Sequence, residues 1–269
     1  MIARIRLLAA AALIWWTGHA ARAGWLIEFP NVSVEAKPSR LLGYLARPDG
    51  GGPFPAVVVL HGCSGLFSLY GGVAEQLSSW GYLALVVDSF GMRSIGDNCN
   101  RQFIEQAIDA YAALRYLSHQ PFVDPARIAV LGYSMGGGTV LDVVQTGFIE
   151  PLFPEKFSAA IAYYPWCRDR LPKVTAPTLI LTGAADDWNP AESCREMLAQ
   201  PHDGGAPIDL TVYPGAHHAF NFAEFKPGIR QFGHWLEYDE AAATNANGKL
   251  RAFLAARLGA APTTETAKP

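Results

Sequence analysis

The chain has 269 residues, half of them apolar, which is enough for one substantial α/β domain and short for two complete ones. Its formal net charge of −3, carried in short clusters, excludes the basic stripe that nucleic acid or an anionic membrane surface requires. A small ligand of little charge is the partner that remains.

The first residues read as a leader. Arg4 and Arg6 precede an apolar run over 7–16, and Ala21-Arg22-Ala23 supplies the small-x-small pattern that a signal peptidase cleaves. Cleavage is expected after Ala23, which assigns 1–23 to a signal peptide and places the mature protein in the periplasm or outside the cell. The apolar run is too short to cross a bilayer comfortably, so no stable membrane insertion is expected after leader removal. An uncleaved anchor is the competing reading, and no polar stop-transfer flank supports it. The remainder divides into one domain over 24–258 and a tail over 259–269, rich in Ala, Thr and Pro and expected to be loose.

Two short strands, 32–36 and 41–46, are expected to form an opening hairpin through Lys37-Pro38-Ser39. A regular alternation follows. Residues 56–60 form a continuous β-branched run suited to a strand buried on both faces, and 70–80 suit a helix. Strand 83–87 precedes helix 102–118, and strand 128–132 precedes helix 135–146. Strands 159–164 and 178–182 follow, then a helix over 191–200 led by Pro190, a last strand over 209–213 and a closing helix over 238–257. Alternation of this kind predicts a doubly wound, mainly parallel sheet with helices on both faces, and ligand sites beyond the carboxyl ends of its strands.

Four cysteines, Cys63, Cys99, Cys167 and Cys194, remain after the leader, and an even count in an exported chain suggests disulfides. Three pairings are possible. Cys63 and Cys99 follow neighbouring strands, as do Cys167 and Cys194, so these two pairs are favoured as staples of the strand-end loops. Four reduced, buried thiols are the alternative.

The strongest local signal is Gly132-Tyr133-Ser134-Met135-Gly136, because it falls where a buried strand gives way to a helix. A serine on so sharp a turn needs small neighbours on both sides, and Gly132 and Gly136 supply them. Serine is a weak nucleophile at neutral pH; it needs a histidine to accept its proton and an acid to hold that histidine. Asp186 and Asp187 follow strand 178–182, and His217 and His218 follow strand 209–213, which is the order Ser, acid, His. Spacing alone does not choose within either pair. His119, His202 and His234 lack a strand-end context and suit surface or structural roles, while His19 lies in the leader.

The chain resembles the dienelactone hydrolase family of α/β-hydrolases through LHGCSG at 60–65, GYSMGG at 132–137, LTGAADDWNP at 181–190 and YPGAHHAF at 213–220. That resemblance implies the α/β-hydrolase fold. The family's G-x-x-D-x-x-x-P pattern falls on Gly183, Asp186 and Pro190, and its A-x-H-x-F pattern on Ala216, His218 and Phe220. It therefore selects Asp186 and His218 as partners of Ser134, leaving Asp187 as a solvated or helix-leading charge and His217 as a loop residue. The family's name-giving members resemble this chain but carry cysteine at the position of Ser134, with a glutamate in the loop that reads His61-Gly62-Cys63 here. A serine depends on its histidine alone, so a serine-esterase mechanism is expected in place of thiol chemistry, and turnover of the dienelactone itself does not follow from the likeness.

The oxyanion formed in acyl transfer is expected to meet the backbone N–H groups of Cys63 and Met135, one from the loop after the strand 56–60 and one from the residue after the nucleophile. Phe67, Tyr133, Trp166, Trp188 and Phe220 neighbour strand-end motifs and are candidates for lining an acyl or alcohol pocket. Arg93 is a candidate for a substrate carboxylate, by similarity to an arginine in a corresponding family loop whose spacing differs by one residue. No metal or organic cofactor is implied, since neither a ligand cluster nor a dinucleotide fingerprint occurs. The expected activity is cleavage of an ester or lactone through an acyl-serine. A peptidase or acyl-transferase on the same scaffold and a non-catalytic binding protein are the rival readings; a thiol-redox protein is disfavoured because no C-x-x-C pair occurs.

Overall fold

A computed structural model describes residues 24–32, 37–65, 68–99, 104–168, 171, 173–200 and 204–259. The expected leader, Phe67, His202 and the tail beyond Gly259 lie outside the described residues. The chain opens with β1 (Trp25–Pro30) and β2 (Arg40–Ala46), followed by β3 (Phe54–Leu60), α1 (Ser68–Ser79), β4 (Leu83–Asp88), α2 (Glu105–Ser118), β5 (Val123–Tyr133) and α3 (Met135–Val144). Then come β6 (Ala159–Tyr163), β7 (Thr178–Gly183), α4 (Ala191–Ala199), β8 (Ile208–Tyr213), a small hairpin of β9 (Ile229–Gln231) and β10 (His234–Leu236), and α5 (Glu240–Leu258).

Eight strands form one sheet in the order β1-β2-β4-β3-β5-β6-β7-β8. The pairs β1–β2 and β2–β4 are antiparallel, and every pair from β4–β3 to β7–β8 is parallel. The mainly parallel α/β sheet expected from the alternation is present. Its β-branched strands are buried on both faces, and successive side chains alternate between two cores. Ala56, Val58 and Leu60 join the core that α2, α3 and α4 cover, whereas Val57 and Val59 join the core under α1 and α5. Each fully buried valine is worth about 1.5–3 kcal/mol relative to exposure.

The opening hairpin differs from the expectation. The partner of β2 is β1, six or seven residues before the expected strand, of which 33–36 lie outside the described residues, and it pairs Trp25 with Leu45 through Pro30 with Arg40. Val32 lies beyond that ladder, next to Asn31, whose Nδ2 donates to the Pro38 carbonyl at 2.8 Å. The hairpin β9–β10 was absent from the sequence reading altogether. Its two-residue turn, Phe232-Gly233, has positive φ at both positions (52° and 88°), the geometry of a type I′ turn, without the Asn-Gly or Asp-Gly signature that marks such turns.

Disulfides join Cys63 to Cys99 and Cys167 to Cys194. The first ties the loop after β3 to the loop after β4, and the second ties the loop after β6 to α4. Among the described residues no helix is long and apolar enough to cross a membrane.

Candidate active site

Ser134 occupies the turn between β5 and α3 with φ 55° and ψ −114°, a strained conformation for a residue bearing a Cβ. The surrounding backbone fixes it: its N–H donates to the Tyr163 carbonyl at 3.0 Å, and its own carbonyl accepts from Gly138 at 2.9 Å. The flanking glycines are steric requirements. A methyl on Gly132 would land on the Gly136 carbonyl, and one on Gly136 would come within 2.5 Å of the Leu60 carbonyl. The start of α3 is thereby pressed against the end of β3, which places the Gly62-Cys63 turn beside Ser134.

The other two residues arrive on the loops after β7 and β8. Gly183 permits these loops to touch, since a side chain there would strike the Ala216 carbonyl. Hydrogen bonds from Ala184 N to Tyr213 O (2.8 Å) and from Ala185 N to Ala216 O (2.9 Å) hold them together. Asp186 Oδ1 accepts from the N–H groups of Trp188 and Asn189 at 2.9 and 2.8 Å, leaving Oδ2 for His218 Nδ1 at 2.8 Å. His218 Nε2 lies 2.9 Å from Ser134 Oγ. Asp186 and His218 are both buried, and the imidazole sits between the rings of Tyr164 (4.6 Å) and Trp188 (5.0 Å). With Nδ1–H donated to a carboxylate, the free lone pair falls on Nε2, facing the serine.

Within the residue pairs that spacing left open, the alternatives sit elsewhere. Asp187 is not simply a solvated charge: its Oδ1 accepts from Trp235 N at 3.0 Å and so anchors β10. His217 is half-exposed and faces Glu237 at 3.9 Å. His234 stacks on Trp188 at 4.8 Å, and His119 bonds to the Arg115 carbonyl at the end of α2.

Behind the turn stands a polar brace. His61 is fully buried; its Nδ1 donates to Gly62 O at 2.7 Å and its Nε2 accepts from Ser89 N at 3.2 Å. Burial pushes its pKa below the ordinary imidazole value. Gly62 N donates to the Tyr70 hydroxyl at 2.8 Å, and Gln106 Nε2 donates to His61 O at 3.1 Å. The loop that carries Cys63 is therefore held from both sides as well as by its disulfide. Met135 is the first residue of α3, where a backbone N–H has no acceptor within the helix.

Ser134 and His218 open into a cavity of about 330 Å³. Of the expected lining residues, Trp188 is on its wall. Tyr133 is not: its ring packs inward against Tyr70, Tyr163 and Phe222, and burial pushes its phenol pKa far up. Side chains alternate along a strand, and the residue before the serine is directed into the sheet's core. Phe220 is likewise fully buried in that core. Trp166 is 60% exposed and lies against Gly138 outside the cavity.

Arg93 is also removed from the wall, because its two terminal nitrogens bind both oxygens of the buried Asp109 at 2.8 Å and one also donates to Ser89 O at 2.7 Å. The cavity instead takes Tyr70 from α1, Tyr164, Phe222 and Phe225, and Ile229, Gln231 and Leu236 from the unforeseen hairpin. An apolar residue on each side of a possible tight turn was the one signal that could have found the last three.

Comparison with known proteins identifies the family. Residues 41–258 match the model of the dienelactone hydrolase family. A Bradyrhizobium protein named "Probable 2-oxo-3-(5-oxofuran-2-ylidene)propanoate lactonase" is 29% identical over 197 residues, 67% of this chain and 79% of that one. A Streptomyces coelicolor protein named bis(hydroxyethyl) terephthalate hydrolase is 29% identical over 169 residues, 61% of this chain and 49% of that one. Among solved structures, a thermophilic esterase from the Planctomycetes species Thermogutta terrifontis shares the fold with a TM-score of 0.65 at 18% identity, covering 90% of this chain and 95% of its own.

Proposed function

The chain belongs to the dienelactone hydrolase family and is thereby a hydrolase, and from that premise we propose that it is an exported serine hydrolase cleaving a carboxylic ester or lactone through an acyl-serine intermediate. The observation that carries this reading is the continuous relay from Asp186 through His218 to Ser134, with contacts of 2.8 and 2.9 Å.

In the proposed cycle, Ser134 Oγ attacks the carbonyl carbon as His218 Nε2 takes the hydroxyl proton. Negative charge moves to the carbonyl oxygen, where the N–H groups of Cys63 and Met135 and the positive end of α3 stabilise it. His218 then returns the proton to the leaving alcohol, which for a lactone remains attached to the acyl chain. Water, deprotonated by His218, attacks the acyl-serine, and as the bond from the acyl carbon to Oγ breaks His218 returns that proton to Ser134 Oγ, releasing the acid and restoring the hydroxyl. Asp186 Oδ2 keeps hold of Nδ1–H throughout, fixing the tautomer and stabilising the imidazolium.

Export is supported by the leader-like first 23 residues and by the two disulfides, which persist in oxidising compartments. The test is turnover by the purified mature protein of matched p-nitrophenyl esters, lactones and peptide amides. Ester or lactone hydrolysis that disappears in Ser134→Ala is expected; amide turnover exceeding ester turnover would favour a peptidase.

A further inference from the structure

What the cavity wall lacks is charge. Among the described residues that line it there is no Lys, Arg, Asp or Glu; polar side-chain atoms come from Ser64, Tyr70, Tyr164, Trp188, Gln231 and the reacting pair, and apart from the Gly62-Cys63 backbone the rest of the wall is aromatic or aliphatic. Three charged groups on the surrounding loops are committed elsewhere. Arg93 is held by Asp109, whose side chain has no exposure, and drawing the guanidinium away would strand a buried carboxylate. Asp187 is bonded to the backbone of β10, and Glu237 accepts from Trp235 Nε1 at 2.9 Å.

We propose that this site selects esters and lactones whose non-reacting portion is uncharged and apolar, and that it discriminates against those bearing a carboxylate. The inference rests on the hydrolase reading and adds the substrate class. A carboxylate entering the cavity gives up its water and meets no cation among the described lining residues, so its transition state is destabilised relative to that of a neutral ester of the same length. At about 330 Å³ the cavity is at the small end for ligand sites, which leaves little room for the carboxylate to keep its hydration shell.

Dimethyl and monomethyl adipate make the test, because the second group is too far from the scissile ester to change its intrinsic reactivity much. With rates corrected for alkaline hydrolysis, kcat/KM for the diester is expected to exceed that for the monoester by roughly 100-fold or more. Gln231→Arg, which places a cation on the wall, should narrow that ratio at least about tenfold by raising monoester turnover. Equal or better use of the monoester by the unmodified enzyme would overturn the substrate class while leaving the hydrolase standing. So would failure to turn over either ester in a protein whose Ser134 still reacts with a fluorophosphonate. Turnover of neither, with Ser134 unreactive, would overturn the hydrolase reading itself.

Discussion

The two walls of the cavity are built on different principles. On one side Ser134, Asp186 and His218 stand at the ends of β5, β7 and β8, and their positions follow from backbone contacts so close that Gly132, Gly136 and Gly183 admit no side chain. On the other side the hairpin Ile229–Leu236 contributes Ile229, Gln231 and Leu236, and it is attached through Asp187 and a bridge between His218 and Leu236. The first wall fixes the chemistry and tolerates almost no change. The second shapes what the chemistry acts on, and it is free to vary because no strand of the main sheet depends on it.

The widest consequence of this difference is in the relay. His218→Ala should lower kcat by roughly 10⁴-fold or more, whereas His217→Ala, whose ring faces Glu237, should leave activity within about twofold. Steady-state kinetics on both variants check this, and the reverse ranking would show that the wrong histidine had been placed beside the serine.

Next in size is the steric lock. Gly132→Ala should cost more than about 4 kcal/mol, or prevent folding, because the new methyl meets backbone that has nowhere to go. Gly248→Ala on α5, where nothing lies within 4 Å, should instead stabilise by up to about 1 kcal/mol. Urea unfolding of the pair measures the contrast.

A smaller effect is expected from the brace under the loop that carries Cys63. Since burial lowers the His61 pKa, the unfolded chain takes up that proton first as pH falls below about 6.5. Stability from this group is therefore full above that pH and is lost progressively as the pH drops toward the folded value. Urea midpoints at pH 7.5 and 5.5 should show the decline, and His61→Gln should reduce it.

The hairpin should give the mildest response. Ile229→Ala is expected to raise KM about threefold to tenfold for an apolar ester with kcat nearly unchanged, since it removes contact area without touching the relay. A collapse of kcat in this variant would mean that the hairpin also holds His218 in place, and would erase the distinction between the walls.

That distinction also explains what could be read from the chain alone. The parallel sheet was legible because its strands are buried on both faces and write themselves as unbroken apolar runs such as Ala56-Val57-Val58-Val59. The order of serine, acid and histidine was legible because each follows a strand, although choosing Asp186 and His218 over their neighbours needed the family resemblance. The pocket was largely illegible. Tyr133 and Phe220 look like wall residues by proximity to the motif, yet strand alternation and core packing turn both inward. Arg93 looks available until Asp109, sixteen positions away on α2, is seen to hold it. The hairpin is hard to read because Phe232 stands where the usual Asn or Asp would precede Gly233, and the hairpin is anchored by tertiary contacts with Asp187 and His218.

The account stands on Ser134 being activated by His218. Intact-mass and peptide mass spectrometry after brief exposure to a fluorophosphonate tests this most directly. A single adduct on Ser134 is predicted, absent from Ser134→Ala and formed far more slowly in His218→Ala. A folded protein that gives no adduct, or labels equally fast without the imidazole, would contradict it.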